Sequence, residues 1–381
     1  KVLFAVDGYQ YGGQGFDCRP AIAELQQSLP TLEQTILVPY LHPSAESESS
    51  DDILIFDDLL KRSVELNCEQ VPFDHPLWVV YSSGTTGLPK GLVHGHGGIL
   101  LEFSKFAGLH MDVHAGDRFF WFSTTGWVMW NLLQGSLLLG ATPVLYDGSP
   151  GHPDLGVLWQ LAQDSKMSVF GTSAAYLTTC MGQGLEPGKQ FDLSRLKTVG
   201  STGSPLPTEG FRWVYEHVKK DLLLGSVSGG TDPCTAFLGS CPLLPVRAGE
   251  LQCRCLGVNA AAYDEKGNAL IDDVGELVIT EPMPSMPLYL WNDPQNRRYH
   301  ASYFEMYPGV WRHGDWVRFS DGGSGVILGR SDSTINRLGV RMGSSEIYAA
   351  VEDLAEIADS LVVGVEAPGG NYFMPLFVVT K

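Results

Sequence analysis

The stretch Tyr81-Ser82-Ser83-Gly84-Thr85-Thr86-Gly87-Leu88-Pro89-Lys90-Gly91 decides how this chain is read, and it follows directly on an apolar run at 78–81. Glycines at 84, 87 and 91 leave backbone N–H groups open to an anion, with no Cβ in the way. The hydroxyls of Ser82, Ser83, Thr85 and Thr86 can donate hydrogen bonds, and Lys90 brings a positive charge. Chemistry of this kind suits phosphate oxygens. The spacing Gly-x-x-x-x-Gly-Lys-Ser/Thr is absent and the residues after Lys90 read as a strand, so this is not the P-loop of kinases. A flexible Gly/Ser surface loop is the alternative, and it leaves the lysine and the hydroxyls unexplained.

Outward from this loop, short apolar runs at 2–6, 35–38, 78–81, 118–122, 142–146, 168–171 and 198–201 read as strands. Amphipathic stretches at 21–28, 98–109, 128–139, 155–163 and 209–219 read as helices between them. Continuous apolar strands alternating with helices imply an α/β layered core of mostly parallel sheet covered on both faces, with ligand loops at the strands' C-terminal ends. This core is expected over residues 1–244. Shorter alternating strands follow at 250–254, 275–280, 317–319 and 326–328, broken by Gly, Pro and Asp turns. They predict a small antiparallel sheet or distorted β-barrel over 245–331. From 332 to 381, a helix at 344–354 and strands at 360–365 and 374–379 read as the start of an α+β lobe that stops unfinished.

Composition narrows the function classes. The 381 residues are 44% hydrophobic and 18% charged, the balance of a folded globular protein rather than a disordered one. A formal net charge of −18 with no Lys/Arg cluster argues against nucleic acid and anionic membrane surfaces as partners. A few converging cations and backbone N–H groups can still hold a nucleotide. No apolar run approaches the roughly 18 residues that a membrane span needs. The seven cysteines show no Cys-x-x-Cys spacing and read as buried free thiols of a reducing cytosol rather than as zinc ligands. The start at Lys1 lacks an initiator Met, which suggests a piece of something longer.

The loop at 81–91 resembles the signature loop of the adenylate-forming enzymes, the acyl- and aryl-CoA synthetases, luciferases and nonribosomal adenylation domains. Further segments resemble that family's other motifs in the same order, and the likeness covers nearly all of the chain. It is most specific, at 121–147, 228–232, 291–304 and 325–346, to the acetoacetyl-CoA synthetases. The resemblance implies the adenylate-forming fold and the use of ATP, Mg²⁺ and coenzyme A. It would put Ser82, Ser83, Gly84, Thr85, Thr86 and Gly87 around the β- and γ-phosphates, with Lys90 as their cation.

Thr125-Gly126-Trp127-Val128-Met129-Trp130 would line the carboxylate pocket through Trp127, Val128 and Met129, although Trp127 and Trp130 read alone are core aromatics. In Gly200-Ser201-Thr202-Gly203-Ser204-Pro205-Leu206 the resemblance stacks adenine on the backbone of Gly203, Ser204 and Pro205, with Thr202 toward the acid; read alone, this is a strand-to-helix turn. In Ser228-Gly229-Gly230-Thr231-Asp232 it places Gly230 and Thr231 at the α-phosphate and Asp232 on Mg²⁺, a shorter acid than the family's glutamate. In Trp311-Arg312-His313-Gly314-Asp315-Trp316 and Gly329-Arg330-Ser331-Asp332, Asp315 would clamp the ribose, Arg330 would support it, and Asp332 would be a hinge. His313 reads as structural. Gly339 would face pantetheine and Arg341 a phosphate, making Lys90, Thr231, Asp232 and Arg341 the catalytic set.

Relatives that activate acetate carry a tryptophan two residues before the nucleotide threonine, and Gly229 stands there in this chain. A longer acid is therefore expected, with acetoacetate the choice that the resemblance favours. The implied reaction joins acetoacetate to coenzyme A through an acetoacetyl-adenylate, releasing AMP and pyrophosphate. A CoA ligase for another short-chain acid, or a catalytically impaired nucleotide-binding paralogue, are the alternatives. The family's second catalytic lysine lies in a Gly-Lys loop beyond Val379-Thr380-Lys381, and Lys381 is not its substitute. A weakly active or inactive piece is the expectation for this polypeptide.

Overall fold

The structure is a computed structural model and describes residues 1–42, 52–82, 89–332, 334–337, 340–343, 347, 350–351, 354, 356–367 and 371–380. The chain divides into two compact units, one of Lys1–Gln70 with Leu145–Leu158 and one of Val71–Val144 with Trp159–Lys381.

In the first unit, Val2–Val6, Gln34–Val38 and Ile53–Ile55 form a parallel sheet with Gln34–Val38 in the middle. The helix Arg19–Ser28 starts with Pro20 in its first turn, where a missing N–H does no harm, and buries Ile22 against Leu37 and Ile55. The hairpin Gly8–Tyr11/Gln14–Asp17 turns on Gly12 and Gly13 at φ +59° and +79°, the sense of turn that matches strand twist.

The second unit holds the chemistry-bearing loops. Its parallel sheet runs in the order Leu223–Ser226, Thr198–Thr202, Val169–Ser173, Arg118–Trp121, Thr142–Val144. The helices Val128–Gly135, Ala174–Gly182 and Thr208–Trp213 belong to the same unit. On one face the Trp121 indole lies across Gly171 and Gly200, where a Cβ would come within 2.2 and 2.6 Å of it. Glycine at 200 is thus required by packing against Trp121. From Ser228 onward every strand pairing among the described residues is antiparallel. The main antiparallel sheet runs Ala269–Leu270, Ala260–Tyr263, Val274–Ile279, Trp311–Phe319, Gly325–Arg330, and a Leu251–Gly325 bridge joins its edge to the preceding segment.

One strand departs from the parallel expectation. Pro76–Ser82 pairs antiparallel with Lys90–Gly95: only residues 83–89 separate the two strands in sequence, whereas a parallel partner needs a crossover of about a dozen residues or more. The cysteines also differ from the expectation of buried thiols. All seven are free, but only Cys180, Cys234 and Cys255 are buried, and Cys68 is exposed.

Candidate nucleotide site

Lys90 opens its strand opposite Ser82, so the pairing fixes both ends of the phosphate loop. Its ammonium donates to Asp232 Oδ1 at 2.7 Å and to the Tyr303 hydroxyl at 3.0 Å, and it lies 4.6 Å from the centre of the Tyr303 ring. The Tyr303 hydroxyl donates to the same Asp232 oxygen. Lys90 and Asp232 side chains are only 16% and 10% exposed, so the pair is little screened by solvent. Burial by itself would raise the Asp232 carboxyl; the Lys90 ammonium and the Tyr303 hydroxyl outweigh it and hold Asp232 well below the usual carboxylate range. Burial and the Asp232 charge push the Tyr303 phenol far up, so it remains a donor.

The backbone of Asp232 is anchored as well. His94 Nε2–H donates to the Asp232 carbonyl at 2.7 Å, while His94 Nδ1 accepts from Trp78 Nε1–H at 3.3 Å. This pair of bonds defines one neutral tautomer, and burial lowers the pKa of His94 accordingly. Ser82 Oγ is buried with no hydrogen-bond partner among the described residues, a donor at the mouth of the loop.

A second cluster surrounds Asp315, which is 5% exposed. Arg330 Nη1 donates to Asp315 Oδ1 at 3.1 Å, Arg330 Nε donates to Asp332 Oδ1 at 3.1 Å, and Arg330 Nη2 donates to Asp332 Oδ2. Burial disfavours the guanidinium charge, yet the two carboxylates outweigh this and raise Arg330 above its ordinary value. Each Asp315 oxygen keeps a lone pair for a further donor such as a ribose hydroxyl. Glu276, 2% exposed, clamps the loops that present these groups. Its Oε1 accepts from Gly314 N at 2.9 Å and Ser331 Oγ at 2.8 Å, and its Oε2 pairs with Arg312 Nε at 3.2 Å. Gly314, at φ +89°, could carry no side chain: a Cβ would lie 2.7 Å from Asp332 Oδ2 and 2.8 Å from Arg330 Nη2.

His313 joins the two clusters. Its Cε1 would be 2.5 Å from a Cβ on Gly230, its Nε2 lies 3.4 Å from Asp315 Oδ2, and its ring packs edge-on against Phe237 at 4.6 Å. Lys90, Gly230, Thr231, Asp232, Asp315, Arg330 and Asp332 are thereby brought to one place. The Thr202–Pro205 turn lies alongside: Thr202 Oγ1 donates to the Val227 carbonyl at 2.9 Å, and Gly203 adopts φ +89°. Trp127 precedes the first turn of the helix Val128–Gly135 and packs with Val128 and Trp130 on the core, which takes in Met129.

Gly229 corrects one expectation. A Cβ there would lie 2.1 Å from the Thr235 carbonyl oxygen and 2.6 Å from Ala236 Cα. The missing side chain therefore faces the backbone of the neighbouring strand, and the extra room read from its absence does not follow. Ser83, Gly84, Thr85, Thr86, Gly87 and Gly339 lie outside the described residues, and Arg341 is placed only as backbone of the strand Val340–Gly343. Tyr303, His94 and Glu276 were not singled out from the sequence; their roles come from contacts across the fold. Among the described residues no group of three or more His, Cys, Asp or Glu could cage a metal. A single carboxylate such as that of Asp232 is compatible with Mg²⁺, which needs one carboxylate and fills its shell with phosphate oxygens and water. No helix among the described residues is long and apolar enough to cross a membrane.

A family model described as AMP-binding enzyme matches residues 1–290. The chain is 40% identical over 387 residues to an acetoacetyl-CoA synthetase of Xenopus tropicalis, covering 99% of this chain and 58% of the relative. It is 42% identical over 367 residues to an acetoacetyl-coenzyme A synthetase of Rhizobium meliloti (strain 1021), covering 96% of this chain and 56% of the relative. A solved acetoacetyl-CoA synthetase from Streptomyces lividans superposes with a TM-score of 0.84 at 53% identity, covering 100% of this chain and 58% of that one. The chain spans little more than half the length of these relatives. With most of its residues, 1–290, matched by one family model, the chain belongs to the AMP-binding enzyme family.

Proposed function

We propose that this chain carries the nucleotide- and acid-binding part of an enzyme that ligates acetoacetate to coenzyme A with ATP. The observation that supports this reading is the meeting of Lys90 with Asp232, 142 residues apart, and their link through His313 to Asp315 and Arg330. The acid's carboxylate oxygen attacks the α-phosphorus, the bond to the bridging oxygen breaks, and pyrophosphate leaves with its electrons. The thiolate of coenzyme A then attacks the acyl carbonyl, and AMP departs. The protein's part is positioning and charge. Lys90 and the 82–87 loop hold the departing phosphates, Thr231 orients the α-phosphate, Asp315 and Arg330 fix the ribose, and Arg341 adds a cation. Mg²⁺ at Asp232, when bound, supplies charge neutralisation at the phosphate oxygens.

Trp127, Val128, Met129 and Thr202 form the acid pocket in this reading, Gly203–Pro205 the adenine shelf, Gly339 the pantetheine contact, and Asp332 the hinge between residues 245–331 and the terminal lobe. The choice of acetoacetate rests on the named relatives and no longer on Gly229. A cytosolic location fits the free thiols. Pyrophosphate release from ATP, slow as it is expected to be in this polypeptide, tests the proposal when measured with acetoacetate, acetate, butyrate and no acid. Release that depends on an acid and is fastest with acetoacetate is expected; release indifferent to any acid would refute it.

A further inference from the structure

We propose that Tyr303 is a positioning residue that keeps the Asp232 carboxylate aligned while its resident cation, Lys90, is exchanged for the metal of a metal–nucleotide complex. This rests on the reading of Asp232 as the carboxylate that meets the metal. Asp232 Oδ1 accepts from both the Lys90 ammonium, at 2.7 Å, and the Tyr303 hydroxyl. A divalent cation and an ammonium repel each other across one small carboxylate, so an arriving metal favours the departure of Lys90. Its flexible stem and point charge suit it to swing onto phosphate oxygens.

Tyr303 cannot make that movement. Its ring is 4% exposed and stacks on Trp311, 1% exposed, at 3.7 Å between centroids and 10° between planes. Tyr299 packs edge-on against the same ring at 5.4 Å. A hydroxyl so held stays where it is when Lys90 departs. Asp232 then keeps two anchors: His94 on its carbonyl and Tyr303 on its carboxylate. Without the hydroxyl, the carboxylate would be free to rotate at the moment it loses its ion-pair partner.

The test is titration calorimetry on the full 381-residue chain, with ATP in Mn²⁺ or in EDTA, and with adenosine. Tyr303→Phe keeps the ring and its stack and removes only the hydroxyl. It should weaken MnATP about tenfold, the scale of one lost hydrogen bond to a charged group, and leave adenosine within about twofold of wild type. Asp232→Asn should weaken MnATP too, and adding Tyr303→Phe to it should cost no more than a further factor of about two, because both act through one group. Wild-type MnATP affinity in Tyr303→Phe, losses that multiply in the double variant, or an equal fall for adenosine would each overturn the proposal. A second arm leaves Tyr303 intact: in Lys90→Met, free Mn²⁺ should bind at least about tenfold tighter than in wild type, since the competing ammonium is gone. Unchanged Mn²⁺ affinity would overturn the exchange. Wild-type ATP binding that ignores the metal would instead remove the underlying reading of Asp232.

Discussion

Replacing Arg330 with methionine keeps most of the side chain's length and deletes the charge between two acids. The Arg330 side chain is 13% exposed, against 7% for that of Asp315 and 18% for that of Asp332. At a charge separation of ~4 Å and an effective dielectric of ~20, each pair has a gross attraction of about 4 kcal/mol. Desolvation already offsets part of this in the native protein, and Asp332 can recover some hydration once released. What remains is the stranding of the buried Asp315, with His313 Nε2 at 3.4 Å. Removing one partner of a buried pair costs about 3–5 kcal/mol, and the more buried acid places Arg330→Met inside that range. Urea denaturation followed by tryptophan fluorescence would read this as a lower midpoint with an unchanged slope. Arg330→Lys should recover only part of the loss, because an ammonium cannot span both carboxylates as the planar fork does. A loss below about 1 kcal/mol for Arg330→Met would refute the view that this guanidinium organises the Asp315 cluster.

Acid should destabilise the protein well above the carboxylate range. His94 and His110 are buried and held neutral: His110 Nδ1–H donates to the Ser240 carbonyl at 2.7 Å and its Nε2 accepts from Leu256 N–H at 3.0 Å. Burial lowers both below the ordinary 6.5, so below that pH the unfolded chain binds protons that the native one refuses. Stability then falls with falling pH, by up to about 1.4 kcal/mol per unit for each histidine. Asp232, held down by Lys90, adds a further loss below its ordinary 3.8 as it is finally protonated. Urea midpoints that stay level between pH 7.5 and 5.5 would contradict the histidine assignment. Gly229→Ala should lower stability by about 1–3 kcal/mol in thermal melts, through overpacking against the Thr235 carbonyl, and an unchanged Tm would deny the close strand approach. In EDTA, Lys90→Met should weaken ATP at least about tenfold and AMP hardly at all, in keeping with a cation that meets the outer phosphates. Equal losses for both nucleotides would move Lys90 away from them.

The sequence was most legible where a local pattern is enough. Strands 169–173 and 198–202 are buried on both faces, so their apolar runs announced them, and the helix 96–105 showed its amphipathic stripe. The helix Ala174–Gly182 was missed although Ser173 carries its signal, accepting from Tyr176 N at 3.1 Å as an N-cap. The orientation of Lys90–Gly95 depended on loop length rather than on periodicity. Among site residues, the glycine- and hydroxyl-rich loop and the acids at 232 and 315 were legible because phosphate, metal and ribose chemistry asks for those types. Tyr303 was not, since a tyrosine 71 residues from Asp232 and 213 from Lys90 acquires its role only in space. Gly229 shows the converse: a missing side chain can be read from sequence, but the direction its Cβ would have taken belongs to the backbone.

A crystal structure with Mg²⁺ and a non-hydrolysable ATP analogue tests most directly whether these loops make one nucleotide site. A single nucleotide is expected, with its ribose hydroxyls on Asp315, its outer phosphates on Lys90, and the metal between them and Asp232. A nucleotide bound elsewhere, or one that reaches Asp315 but leaves Lys90 and Asp232 paired and untouched, would contradict it.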